Sequence, residues 1–123
     1  MRRKPAGRSG TTTWFRKPIT WCGSSLDDLR ATPEVTRRQA GRGLRKLQDG
    51  EEPADWKPMP TVGPGSIELR FHRPTEHRVV VVTRFAEAIY VLHVFEKKSL
   101  KTPRRDIELA RRRYNRLITE RLA

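Results

Sequence analysis

The stretch "SIELRFHRPTEHRVVVVTRFAEAIYVLHVF", residues 66–95, decides the architecture. Ile67, Leu69 and Phe71 alternate with Glu68, Arg70 and His72, the period of a strand with one buried face. Residues 78–85 continue in the same manner. Arg78, Val80, Val82 and Arg84 lie to one side, with Val79, Val81, Thr83 and Phe85 to the other. In residues 88–95 Ile89, Val91, His93 and Phe95 oppose Tyr90, Leu92 and Val94. The links between these runs have hairpin length, so the strands are expected to be antiparallel neighbours.

Working outward, "KPITWC" (17–22) alternates Ile19 and Trp21 with Thr20 and Cys22 and reads as a first strand. Ser25, three residues before Asp28, resembles a helix N-cap with acids in the first turn. Pro33 ends that short helix. A second helix is expected from Glu34 to about Gln48, with Ala40, Leu44 and Leu47 on one stripe. Gly41 and Gly43 weaken it, each by up to about 1 kcal/mol relative to alanine, and Gly50 suits its exit. "EEPADWKPMPTVGPG" (51–65) reads as a connection without hydrogen-bonded structure. Thr102 and Pro103 should open a last helix as cap and first-turn proline. Its stripe is Ile107, Ala110, Tyr114, Leu117 and Ile118, with Arg105, Arg112 and Arg116 turned away.

The expected fold class is therefore α+β, a small and mostly antiparallel sheet of about four strands. Helices are expected to bank on one sheet face, which leaves the other face to water. Residues 1–13 carry four basic side chains and little to bury, and read as a disordered basic arm before a single domain over 14–123.

Charge narrows the partners. The 123 residues hold 27 Lys and Arg against 14 Asp and Glu, a formal charge of +13. Such an excess favours phosphate polymers. A membrane is the rival, but no apolar run approaches the roughly 20 residues of a membrane-spanning helix. The basic N-terminus is not followed by the apolar segment of a secretory signal. A lone cysteine, Cys22, excludes an internal disulfide and fits a reducing compartment. A cytoplasmic domain is expected.

Arg70, Arg78 and Arg84 fall on the polar side of their strands, where neighbouring strands would gather them. Whether His93 joins them, with Phe95 at the margin, depends on register. Such a patch could promote attack of an RNA 2′-hydroxyl on the adjacent phosphate, which needs a base, cations and an acid but no metal. Histidine titrates in a suitable range, and a lysine crowded by cations is driven toward it. The plainer readings are a hydrogen-bonded structural His93, a flexible loop at Lys97, Lys98 and Lys101, and solvated arginine faces on the helices. Glu68 and Asp106 are too far apart in sequence to be assigned as a carboxylate pair. His72, His77 and His93 lack metal-ligand spacing, and no P-loop or nucleophile-elbow motif occurs. No metal or cofactor is expected.

Residues 17–113 resemble the phage-derived HigB branch of the RelE/ParE toxin superfamily from bacterial toxin–antitoxin systems. The likeness rests on "SSLDDLRATP", "LRKLQDGEEPADWKPMPTVGPGSIELR", "HRVVVV", "IYVLHVFEKKSLKTP" and "DIELARRR". It implies two N-terminal helices packed on one face of the sheet and a C-terminal helix. It also implies a ribosome-dependent endoribonuclease that cuts mRNA in the A site of the small subunit. The implied inhibitor is a cognate antitoxin of the HigA-like helix-turn-helix kind. Carried onto this chain, the likeness assigns Arg78 to transition-state charge and His93 or a nearby lysine such as Lys98 to proton transfer. On the same likeness Lys57, Arg70, Lys97 and Lys101 would hold RNA, and the reading of the strand faces adds Arg84 and Phe95. Cutting on the ribosome is expected over cutting of free RNA, since a site without a strong base needs its substrate aligned. Two rivals remain: a ParE-like gyrase poison with the same fold, and a nucleic-acid-binding module without catalysis.

Overall fold

The computed structural model describes residues 16–123. The basic arm expected over residues 1–13, and the first residues of the domain, lie outside the described residues. Elements follow in the order β1 (Ile19–Trp21), α1 (Ser25–Arg30), α2 (Glu34–Gln48), β2 (Trp56–Pro58), β3 (Ser66–Phe71), β4 (His77–Val82), β5 (Ile89–Glu96) and α3 (Arg104–Leu122). They form an α+β domain around one five-stranded sheet of order β1-β5-β4-β3-β2. Strands β2 to β5 are antiparallel neighbours, while β1 pairs in parallel with β5. No helix among the described residues is long and apolar enough to cross a membrane.

The long strands and all three helices stand where periodicity places them. Ala40 and Leu44 of α2 are buried, as are Ala110, Tyr114 and Leu117 of α3. Gly50 leaves α2 with φ +77°, a conformation that glycine adopts without strain. Three details differ. Ser24, not Ser25, precedes α1, and Ser25 turns inward to donate to the Val91 carbonyl at 3.1 Å. Pro103 takes the cap position of α3, and the Thr102 hydroxyl donates instead to Glu68 Oε2 at 3.4 Å. The connection 51–65 contains an edge strand, β2. Its Pro58 is tolerated there because an edge position leaves one side of the backbone unpaired.

The larger correction concerns layers. Helices do not bank on one face. α1 and α2 cover Leu69, Val79, Val81, Ile89 and Val91, and α3 lies on the opposite face over Val80, Val82 and Leu92. The cause is β4, in which all six residues are buried. A strand apolar on both sides needs a layer on both sides. α3 comes down closely: a Cβ at Gly63 would sit 2.6 Å from the Tyr114 ring, whose hydroxyl donates to the Pro64 carbonyl at 2.7 Å.

Register holds the second correction. Val80 pairs with His93, but Val81 pairs with Val91, so Leu92 is an extra residue in β5. This bulge resets the alternation. Ile89 and Val91 face α1 and α2, whereas His93 and Phe95 turn to the α3 side. His93 thus shares a face with Arg78, Glu68 and Lys57.

Candidate active site

α3 is not broad enough to cover its whole face of the sheet. Beyond its N-terminal turn, over the ends of β2, β3 and β4, the face stays open as a hollow of about 360 Å³. Strand pairing builds its floor. Lys57 of β2 sits opposite Glu68 of β3, and Arg70 of β3 sits opposite Arg78 of β4. Lys97 and Lys101 reach in from the loop that joins β5 to α3. That loop is tied to itself: Lys97 Nζ donates to the Leu100 carbonyl at 2.6 Å, and Ser99 Oγ to the Lys101 carbonyl at 2.7 Å. Five cations therefore surround one carboxylate, Glu68.

Arg78 is the most constrained of the five, its side chain only 4% exposed. Its Nη1 donates to Glu76 Oε1 at 2.9 Å and to the His77 carbonyl at 3.1 Å. Its Nε lies 3.8 Å from Glu68 Oε1, too far for a hydrogen bond, and is buried without a partner. Arg70 Nε is likewise buried and unpartnered. Two guanidinium groups on directly opposed residues repel each other, and a buried donor without an acceptor costs about 1–3 kcal/mol. An anion in the hollow would relieve the repulsion between the two guanidinium groups.

Glu76 also holds His72, whose Nδ1 lies 3.0 Å from its carboxylate while Nε2 lies 2.6 Å from Asp55 Oδ2. The bond to Asp55, then that to Glu76, raises the His72 pKa above its usual value. The bond to His72, then that from Arg78, holds the Glu76 carboxyl below the ordinary carboxylate range. Asp55, His72, Glu76 and Arg78 thus form a polar chain that ends at the hollow.

Four of the residues singled out in the sequence stand outside it. His93 lies beneath α3 with its side chain 7% exposed, and its Nε2 is 2.7 Å from Asp106 Oδ1. Burial lowers the His93 pKa, with Asp106 opposing. Phe95 stacks on the His93 ring, with centroids 4.9 Å apart, and does not line the hollow. Lys98 points to a separate depression beside Glu96 and Arg105. Arg84 follows the end of β4, roughly 20 Å along the chain from Arg78 at strand rise, and its guanidinium covers the Phe85 ring. The other five (Lys57, Arg70, Arg78, Lys97 and Lys101) do converge.

Glu68 is the site residue that sequence reading passed over. Strand alternation already put it on the side of Arg70, and only its distance in sequence from Asp106 set it aside. In the fold the two carboxylates do separate work, Glu68 beside Arg78 and Asp106 beside His93.

A small α+β domain with a cation-lined hollow at one end of its sheet is the class that this geometry defines. The family model for phage derived protein Gp49-like (DUF891) matches residues 27–115. The chain belongs to that family, which is associated with RelE-like toxins. No curated protein gives a match.

Proposed function

We propose that this protein is the toxin of a toxin–antitoxin pair and cuts mRNA in the ribosomal A site, in the cytoplasm. The observation that carries the reading is the convergence of Lys57, Arg70, Arg78, Lys97 and Lys101 around Glu68 in one open hollow. A phosphodiester seated there meets cations on several sides.

The chemistry is an in-line displacement. The 2′-oxygen bonds to phosphorus, the bond from phosphorus to the 5′-oxygen breaks, and a 2′,3′-cyclic phosphate and a 5′-hydroxyl result. Glu68, the one carboxylate lining the hollow, accepts the 2′-hydroxyl proton. Lys97 or Lys101 supplies a proton to the departing 5′-oxygen. Arg78 bears the growing charge, Arg70 and Lys57 position the phosphate, and the ribosome supplies alignment. His93 acts by joining α3 to the sheet. A cognate helix-turn-helix antitoxin of the HigA-like kind would silence the toxin.

The near neutralisation of Arg78 by Glu68 and Glu76 favours the second reading, a ParE-like protein whose basic face docks gyrase without cutting. Mapping mRNA 5′ ends after brief induction separates the two. Cuts in the A-site register that carry 5′-hydroxyl ends and vanish in Arg78→Ala support the nuclease. Intact mRNA with DNA damage would overturn it.

A further inference from the structure

A second depression, of about 380 Å³, opens where β3 ends, between α2 and the segment before β2. Its floor is apolar, made by Gly43, Pro53, Ala54 and Phe71. Its rim is cationic, with Arg42 and Lys46 from α2 and Arg73 from the turn after β3. Asp55 also lies on this rim but is held by His72. No ion pair of Arg42, Lys46, Arg70 or Arg73 is present among the described residues.

Arg70 connects this depression to the hollow, because it lines both. It stands on the α3 side of β3, and the next residue, Phe71, packs on the α2 side. A track of cations therefore turns around the end of the sheet, with Arg70 at its corner.

We infer that this depression is a nucleotide subsite, which seats the base and flanking phosphate of the residue next to the scissile bond in single-stranded RNA. The inference rests on the reading of the hollow as an RNA site. Gly43 lines the depression beside Phe71, whose ring lies 3.6 Å from where a Cβ would be, an ordinary packing distance. The aromatic ring and the Pro53–Ala54 backbone make a flat apolar seat for a base, and the rim cations suit phosphates. An acidic protein segment would satisfy the rim but not the floor.

The test uses the full chain and a six-nucleotide RNA, 2′-O-methylated so that it cannot be cut. Lys46→Ala/Arg73→Ala should weaken binding about tenfold and reduce the slope of log affinity against log salt by about 1.4 (about 0.7 for each lost phosphate contact). Ala54→Trp, which fills the depression from its exposed side, should weaken binding by a similar factor with the slope unchanged. Equal hexanucleotide binding by wild type and both variants would overturn the subsite. So would an abasic strand, or an oligo-aspartate of equal charge, that binds as tightly as the RNA. If wild type cuts mRNA while the variants bind normally, the subsite alone is wrong. Selective loss of binding in the variants without any mRNA cutting by wild type would keep the subsite and sink the nuclease alone.

Discussion

Two polar clusters lie on the same face of the same sheet, and they differ in what covers them. Under α3, His93 and Asp106 form one short contact packed between Phe95 and the helix. A few residues away, Lys57, Glu68, Arg70, Arg78, Lys97 and Lys101 line a hollow that opens to solvent, with Glu68 and Arg78 themselves buried at its floor. Judged by residue type alone, the covered pair is the better catalyst, since histidine beside a carboxylate is a familiar acid–base couple. Access reverses that judgement. His93 lines no part of the hollow, whereas Lys57, Arg70, Lys97 and Lys101 stand on its wall, where a polymer can meet them.

Arg78→Ala should produce the largest effect, because it strikes the open cluster at its centre. Cutting of ribosome-bound mRNA should fall at least about 100-fold. Stability should fall too, by about 3–5 kcal/mol, because Glu68 is left buried without its cation. Denaturant unfolding beside the cleavage assay separates the two losses. Lys57→Ala, at an exposed position on the rim, sharpens the point: weaker cutting with an unchanged unfolding midpoint.

Asp106→Ala should break the covered cluster and leave the open one. His93 Nε2 then loses its partner in a buried place, at a cost of about 1–3 kcal/mol. The fraction that remains folded should still cut.

A smaller effect concerns pH. Burial holds the His93 pKa in the folded protein below its ordinary value. The unfolded chain therefore takes up the proton first. The contribution of His93 is complete above about pH 6.5 and is lost as pH falls through the folded value. His72 behaves in the opposite sense. Its bonds to Asp55 and Glu76 raise its pKa, so its contribution is present below about pH 6.5 and fades as pH rises through the folded value. With its side chain 47% exposed, the effect is screened and should be the weakest of the set. Melting curves of His93→Gln and His72→Gln across pH 5 to 8, against wild type, should show the first variant losing the acid-side decline and the second losing the alkaline-side one.

The contrast also marks where sequence reading stops. The strands from Ser66 to Glu96 and the stripes of α2 and α3 are legible because burial imposes period 2 or 3.6 on apolar residues. The cations of β3 and β4 are legible for the same reason, since alternation assigns them a side. What covers that side is not local information. The second valine row of β4, Val80 and Val82, is the one hint that α3 would lie there, and two flanking arginines disguise it as a polar face. The bulge at Leu92 leaves no mark in composition, yet it decides on which face His93 lies. β2 is invisible because three residues, one of them Pro58, carry too little pattern. Glu68 needed only the observation that an acid interrupts a basic strand face.

The most direct measurement is single-turnover cutting of mRNA on programmed ribosomes by Glu68→Gln and His93→Gln, each corrected for its folded fraction. If the open hollow does the chemistry, Glu68→Gln slows the cut at least about 100-fold and folded His93→Gln cuts at nearly the wild-type rate. The reverse outcome, a silent His93→Gln and an active Glu68→Gln, would contradict the account.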